Sequence, residues 1–371
     1  MRLNLKTTRD IFIFILFFYS LLVSQKGLIH LYKYNNIELE KCEVLKDLTK
    51  TGKERPWREK KLKTIELAES YFRLGDKKYY RIRDCGSFLE YKKHIETGEK
   101  KLNRANFCKV RLCPMCSWRR SLKIYGQASQ VMDKALEEKS YRFLFLTLTC
   151  KNVYGEDLSN QINNLFYAFN KMSKRKIFKQ AIKGWFRALE VTHNLDKTSD
   201  NYDTYHPHFH MILMVNNSYF DDNKQYISHE EWVKLWKSCM GVDYDPMVNI
   251  KAFKTGTKFE TQKSISEVAK YTVKDDDFII KNDDGQIDEE LTDDAVFILD
   301  KALAHRRLVA FGGKLRKIQQ ELKLDDMENG DLVHTDNEDE LRDDLEYVIE
   351  RYKWSVGYNQ YVKLEIDTNR K

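Results

Sequence analysis

Residues 206–215 read HPHFHMILMV, and this run constrains the fold more than any other stretch of the chain. Its apolar second half has the character of a buried strand, and its first half sets two histidines one residue apart. Alternate side chains of a strand share a face, so His208 and His210 point the same way while Phe209 faces the opposite layer. Upstream, residues 185–192 form a second strand candidate in which Phe186, Ala188, Glu190 and Thr192 share one face. The polar, turn-forming segment 193–205 joins the two, so the simplest arrangement is an antiparallel hairpin with a long loop. Hairpin pairing can then bring Glu190 beside the histidines. Two imidazoles and a carboxylate with open positions can hold a divalent ion, accept phosphate oxygens and provide Lewis-acid chemistry. A polar strand end with incidental histidines has the same spacing, so the reading depends on the motifs around it.

The surrounding patterns place these strands in an α+β domain with a mainly antiparallel sheet flanked by helices. Residues 143–149 (FLFLTLT) read as a buried strand, and a helix follows with Leu158, Ile162, Leu165, Phe166 and Phe169 on one side. A helix over 119–136 repeats Ile124, Ala128, Val131 and Met132 at helical spacing. Further helices are expected near 230–240 and 264–273, with a strand at 248–252. Residues 50–75 are polar and basic, helical over 59–71, and read as a lead-in. Of the 371 residues 42% are hydrophobic, enough for one large domain or two smaller ones. Lysines and arginines outnumber acids 64 to 57, which permits nucleic-acid binding without establishing it. Basic residues crowd 55–63 and 111–123 whereas acids dominate 275–294 and 325–346, suggesting a basic face for phosphates and an acidic tail region.

Two further groups carry chemistry. Cys85, Cys108, Cys113 and Cys116, the last three within CKVRLCPMC, have the spacing of a four-cysteine zinc site. Reduced structural cysteines are the alternative. Trp118, Arg119 and Arg120 follow directly, where a rigid knuckle would present them for base stacking and phosphate contact. In EVAKYTVK, residues 267–274, a helix makes Glu267 and Tyr271 neighbours one turn apart, and likewise Lys270 and Lys274. A phenol, a carboxylate and an ammonium can thus converge on one phosphate, with Lys274 supplying the positive charge that a tyrosine nucleophile needs. Taken alone, a tyrosine among lysines is more often a solvated helix face.

The N-terminal run 11–23 is apolar and lies behind Arg2, Lys6 and Arg9, as in a secretory signal. It is short for a membrane span of about 20 apolar residues. A dispensable extension and a membrane anchor are the two readings of it. Metal-like cysteine spacing, in place of a disulfide framework, favours a reducing cytosol and hence a cytoplasmic protein.

Taken in order, TGKERPWREKK, ANFCKVRLCPMCSWRR, FLFLTLTCKNV, GWFRALEVTHN, HPHFHMILMV, EVAKYTVKDDDF, RRLVAFGGKLRKIQQEL and NGDLVHT resemble the replication initiators of Gram-positive rolling-circle plasmids. Those belong to the HUH endonuclease superfamily, and the similarity runs from about Thr51 to near the C-terminus. The resemblance implies a nuclease that nicks plasmid double-strand origin DNA, forming a 5′-phosphotyrosine and freeing a 3′-hydroxyl primer. It assigns 143–152 to the first motif, His208 and His210 to the metal motif with Mg2+ or Mn2+, and Tyr271 with Lys274 to the nucleophile motif. Glu267 would promote the final hydrolysis. A host replicative helicase and DNA polymerase are the implied partners, and a homodimer is compatible. The expected division is a leader at 1–34, a basic lead-in at 35–78, a zinc-binding region at 79–120, a catalytic domain at 121–282, and a helical, acidic C-terminal region at 283–371. A mobilisation relaxase or single-tyrosine transposase would use the same chemistry, and a catalytically silent zinc-dependent DNA-binding regulator would keep the histidines only for packing.

Overall fold

A computed structural model describes residues 42–49, 51–221, 225–253, 265–269, 273–335 and 346–364, so the N-terminal apolar run lies outside the described residues. Helices α1 (Trp57–Arg73) and α2 (Lys78–Asp84) precede strands β1 (Phe88–His94) and β2 (Lys100–Ala105). The long α3 (Pro114–Glu138) leads into β3 (Tyr141–Leu148), then α4 (Gly155–Lys174), α5 (Lys176–Ala181), β4 (Ile182–Asn194) and β5 (Thr204–Asn216). After these come α6 (His229–Met240), β6 (Val248–Ala252), a helical turn at 265–269, α7 (Glu289–Leu303), β7 (Val309–Gly312) and α8 (Gly313–Glu321). The last two strands are β8 (Tyr347–Ser355) and β9 (Gln360–Lys363).

Local sequence explains the element ends. Ser228 caps α6 by accepting from the Glu231 amide while the Glu231 carboxylate accepts from the Ser228 amide, and Gly241 ends the helix in the left-handed region. Pro114 opens α3 where its missing amide hydrogen costs no helical bond. In α4 the expected apolar stripe is the buried one, with Leu158, Ile162, Leu165 and Phe169 turned inward.

The strands form an antiparallel five-stranded sheet in the order β6-β3-β5-β4-β7. The long hairpin is its centre, and α4 covers one face, where Phe166 and Phe169 meet Phe209. Arg187 is buried on that same face, with its guanidinium over the rings of Phe166 and Phe209. On the other face Phe186 stacks on Phe311 of β7, and α8 packs along β4.

A second, four-stranded sheet runs β2-β1-β8-β9 and departs from the expected division of the chain. The C-terminal region is not merely helical and acidic: it returns as β8 and β9 to complete the sheet begun by the cysteine-bearing region, and it lends β7 to the other sheet. Glu350, Tyr352 and Trp354 alternate with Arg351 and Lys353 along β8, a period-two pattern that the preceding acidic run obscures. The lead-in is also a core element, because Trp57, Leu67, Tyr71 and even Lys61 on α1 are buried.

The C-terminal strand is fastened to the cysteine region by Tyr361, fully buried, whose hydroxyl donates to the Gly86 carbonyl at 2.6 Å. Gly86 sits at φ +63°, and a Cβ there would also come within 3.3 Å of Met115. Tyr361→Phe is expected to destabilise the chain by about 1–2 kcal/mol, because it deletes a buried hydrogen bond without opening a large cavity. Chemical denaturation measures this, and an unchanged midpoint would show that the hydroxyl contributes nothing.

Candidate metal centres

The hairpin register sets Glu190 directly opposite His208 and Ala188 opposite His210, so the carboxylate and both imidazoles emerge on one face. Glu190 Oε2 lies 2.9 Å from His210 Nε2 and 3.6 Å from His208 Nε2, and the two Nε2 atoms are 3.2 Å apart. The neighbours of the outer ring nitrogens explain this convergence. His208 Nδ1 is 3.0 Å from the His206 carbonyl, and His210 Nδ1 is 3.2 Å from the Thr147 hydroxyl. A proton held at Nδ1 leaves each Nε2 lone pair aimed into the shared space.

These three residues fit a divalent ion. Neighbouring donors about 2.1 Å from one ion stand about 3 Å apart, close to the spacing of the two Nε2 atoms. Burial alone would raise the Glu190 carboxyl, but its contacts with His208 and His210 outweigh this and hold it well below the usual carboxylate range. The other carboxylate oxygen, Oε1, faces Lys274 Nζ at 3.6 Å. Lys274 is largely exposed, so a solvent-facing cation stands at the edge of the nearly buried cluster. Glu267 is half-buried on the helical turn at 265–269, whereas Tyr271 and Lys270 lie outside the described residues.

The second group is the cysteines. The Sγ atoms of Cys85 and Cys116, Cys108 and Cys116, and Cys113 and Cys85 are 3.5, 3.6 and 3.6 Å apart. Zn–S bonds of about 2.3 Å in a tetrahedron place sulfurs about 3.8 Å from one another, whereas a disulfide needs about 2.05 Å. All seven cysteines are free. Backbone amides of Cys108, Lys109 and Val110 point at the sulfurs of Cys85, Cys116 and Cys108, as expected where thiolates carry charge. Lys109 adopts φ +58° to deliver its amide, a left-handed conformation unusual for lysine. The buried ammonium of Lys61 donates to the Arg83 and Cys85 carbonyls. Burial lowers its pKa, and the charge of Cys85 and Cys113 works against that. The donor set and its surroundings fit zinc.

Of the residues expected to meet DNA beside the knuckle, the two arginines are engaged inside the protein. Arg119 is 1% exposed and Arg120 is 5% exposed. Arg119 donates to the Leu332 and Val333 carbonyls, and Arg120 to those of Glu328 and Lys109. Trp118 packs edge-on against Trp57 at 4.7 Å. Arg119 and Arg120 therefore tie α3 to the 328–333 segment, while Trp118, partly buried, joins α3 to α1.

Thr147 escaped the sequence reading, although a hydroxyl within an apolar strand directly paired with His210 is its signal. His193 escaped it too: it bridges Asp203 at 2.8 Å and the Asp277 carbonyl at 3.0 Å, pinning the chain just beyond Lys274 to the hairpin. Thr147→Val is expected to weaken divalent-ion binding about 10- to 100-fold by freeing the His210 ring. Titration with Mn2+ measures the change, and wild-type affinity would remove Thr147 from the site.

Residues 99–362 match the family model described as replication protein. The chain is 40% identical over 343 residues to "Protein rep" of Bacillus amyloliquefaciens, covering 86% of this chain and 97% of that protein. It is 38% identical over 326 residues to "Protein rep" of Lactiplantibacillus plantarum, covering 86% and 98%, and 39% identical over 303 residues to that of Streptococcus pneumoniae serotype 2, covering 80% and 89%. No solved structure matches the chain. A family model spanning most of the chain, and relatives aligned over nearly their whole length, establish that this chain belongs to the replication protein (Rep) family, as a replication initiator of Gram-positive plasmids.

Proposed function

We propose that this protein is an HUH-type endonuclease that nicks one strand at a plasmid double-strand origin and later rejoins it, initiating rolling-circle replication. The observation that carries this reading is the convergence of Glu190, His208 and His210, with Lys274 at the rim, in a replication protein. When bound there, Mg2+ or Mn2+ would polarise a phosphate oxygen as a Lewis acid. The imidazoles and the carboxylate would hold and orient it, with Lys274 at the edge to meet a DNA phosphate.

Tyr271 is the nucleophile in this reading. Its phenol oxygen bonds to phosphorus and its proton passes to solvent, while the bond from phosphorus to the 3′-oxygen breaks and that oxygen leaves protonated, as the 3′-hydroxyl primer. Lys274 favours ionisation of the phenol and offsets charge on the phosphate. At termination Glu267 serves as general base, so that water releases the enzyme instead of a second tyrosine. The four cysteines carry a structural zinc that organises the N-terminal sheet. Host helicase and polymerase take over at the freed primer. The described residues contain no helix long and apolar enough to cross a membrane.

Tyr271→Phe should abolish the covalent 5′ adduct and the nicked circle on supercoiled origin plasmid, and His208→Ala or His210→Ala should abolish nicking while sparing origin binding. Electrophoresis of the plasmid with and without protease reads both. Wild-type adduct in Tyr271→Phe would assign another nucleophile, and no nicking by the unmodified protein in either metal would favour a silent DNA-binding regulator. Metal analysis should find about one zinc per chain, lost in Cys113→Ser with a lower melting temperature. Active protein without zinc would reduce the cluster to packed thiols.

A further inference from the structure

Helix α1 touches the cysteine cluster on one face and, on the adjacent face, the turn that follows Lys274. Lys60 and Lys63 lie one turn apart, as do Lys61 and Thr64 beside them. Lys61 donates to the Cys85 carbonyl at 2.7 Å, and the Thr64 hydroxyl lies 3.7 Å from Cys113 Sγ and accepts from the Met115 amide at 3.2 Å. On the neighbouring face Lys60 Nζ lies 2.5 Å from the buried carboxylate of Asp275, and Lys63 Nζ is 2.8 Å from Asp276 and 3.7 Å from Asp275. Thr64 also donates to the Lys60 carbonyl at 2.7 Å, joining the two faces.

Asp275 and Asp276 directly follow Lys274, the cation beside Glu190. Their segment is a tight turn: the Ile279 amide donates to the Asp275 carbonyl at 2.9 Å, the Lys274 amide to the Asp277 carboxylate at 3.2 Å, and Phe278 is fully buried. We propose that Lys60 and Lys63 are positioning residues for the nicking centre, and that through them α1 couples the cysteine cluster to the placement of Lys274. The proposal rests on the nicking reading above. Its physical basis is that a helix is stiff along its axis, so a shift of the cysteine-bound face is passed to the lysines of the adjoining face. Ion pairs to a buried carboxylate resist such a shift, because separating them leaves an uncompensated charge.

The test uses the full chain and its own origin plasmid. In Lys60→Ala/Lys63→Ala, the single-turnover nicking rate at saturating DNA should fall about 10- to 100-fold, since a misplacement of about 1 Å near the chemistry costs that much, while the DNA concentration at half-saturation stays constant. Lys60→Arg/Lys63→Arg should recover most of the rate, because the charge returns. Asp275→Asn/Asp276→Asn, which leaves no buried charge behind, should repeat the alanine phenotype. Hydrogen exchange gives the readout independent of activity: amides of 277–279 should exchange faster in the alanine pair and also in Cys113→Ser, with those of β5 unchanged. Wild-type nicking by the alanine pair, or unaltered exchange at 277–279 in Cys113→Ser, overturns the proposal. So does equal loss of origin binding and of protection throughout β5, which would make the pairs general stability contacts. If the wild type does not nick at all, the proposed function falls, and the exchange comparison still decides the coupling.

Discussion

The antiparallel register between β4 and β5 is the constraint on which the rest of the site depends. A strand has a period of two, so a slip of one residue would turn Glu190 away from His208 and bury it in the layer of Phe209 and Arg187. That layer forbids the slip. Phe209, Arg187 and Trp185 are packed against Phe166 and Phe169 of α4, and the reversed register would expose these rings while burying a carboxylate among them. The register is therefore held by apolar packing on one face and used for polar convergence on the other. β3 completes the arrangement from the other side of β5, placing Thr147 against His210.

The cysteine cluster solves a different problem. The sheet built on β1 and β2 is small and draws its other two strands from the far end of the chain, across a large sequence separation. Closing such a loop costs conformational entropy before any contact is gained. The converging thiols of Cys85 and CKVRLCPMC bring the residues before β1 to the start of α3, where a bound ion would tie them, and Tyr361 locks β9 onto the same corner. Arg119 and Arg120 extend the junction by satisfying carbonyls of 328–333. Charges that look ready for DNA are thus absorbed as internal ties, which is reasonable for guanidinium groups with several donors in a fixed fork.

Local physics made much of this legible. The apolar run of β3, the stripe of α4 and the alternation in HPHFHMILMV are properties of short windows, and each formed the expected element. The placement of Glu190 followed from parity and the assumption of a hairpin. What eluded the sequence was non-local: that α1 lies between the cysteine cluster and the turn after Lys274, that β8 and β9 return to β1, and that Arg119 and Arg120 are turned inward. An arginine three residues after a cysteine knuckle has the same local signature whether it faces solvent or a carbonyl. By itself, then, the sequence determined the residue types and the faces they share, because these follow from the periods of helix and strand. Only the tertiary structure decided which faces meet, because that choice depends on packing between segments far apart in the chain, as where Lys60 of α1 reaches Asp275 beyond the hairpin.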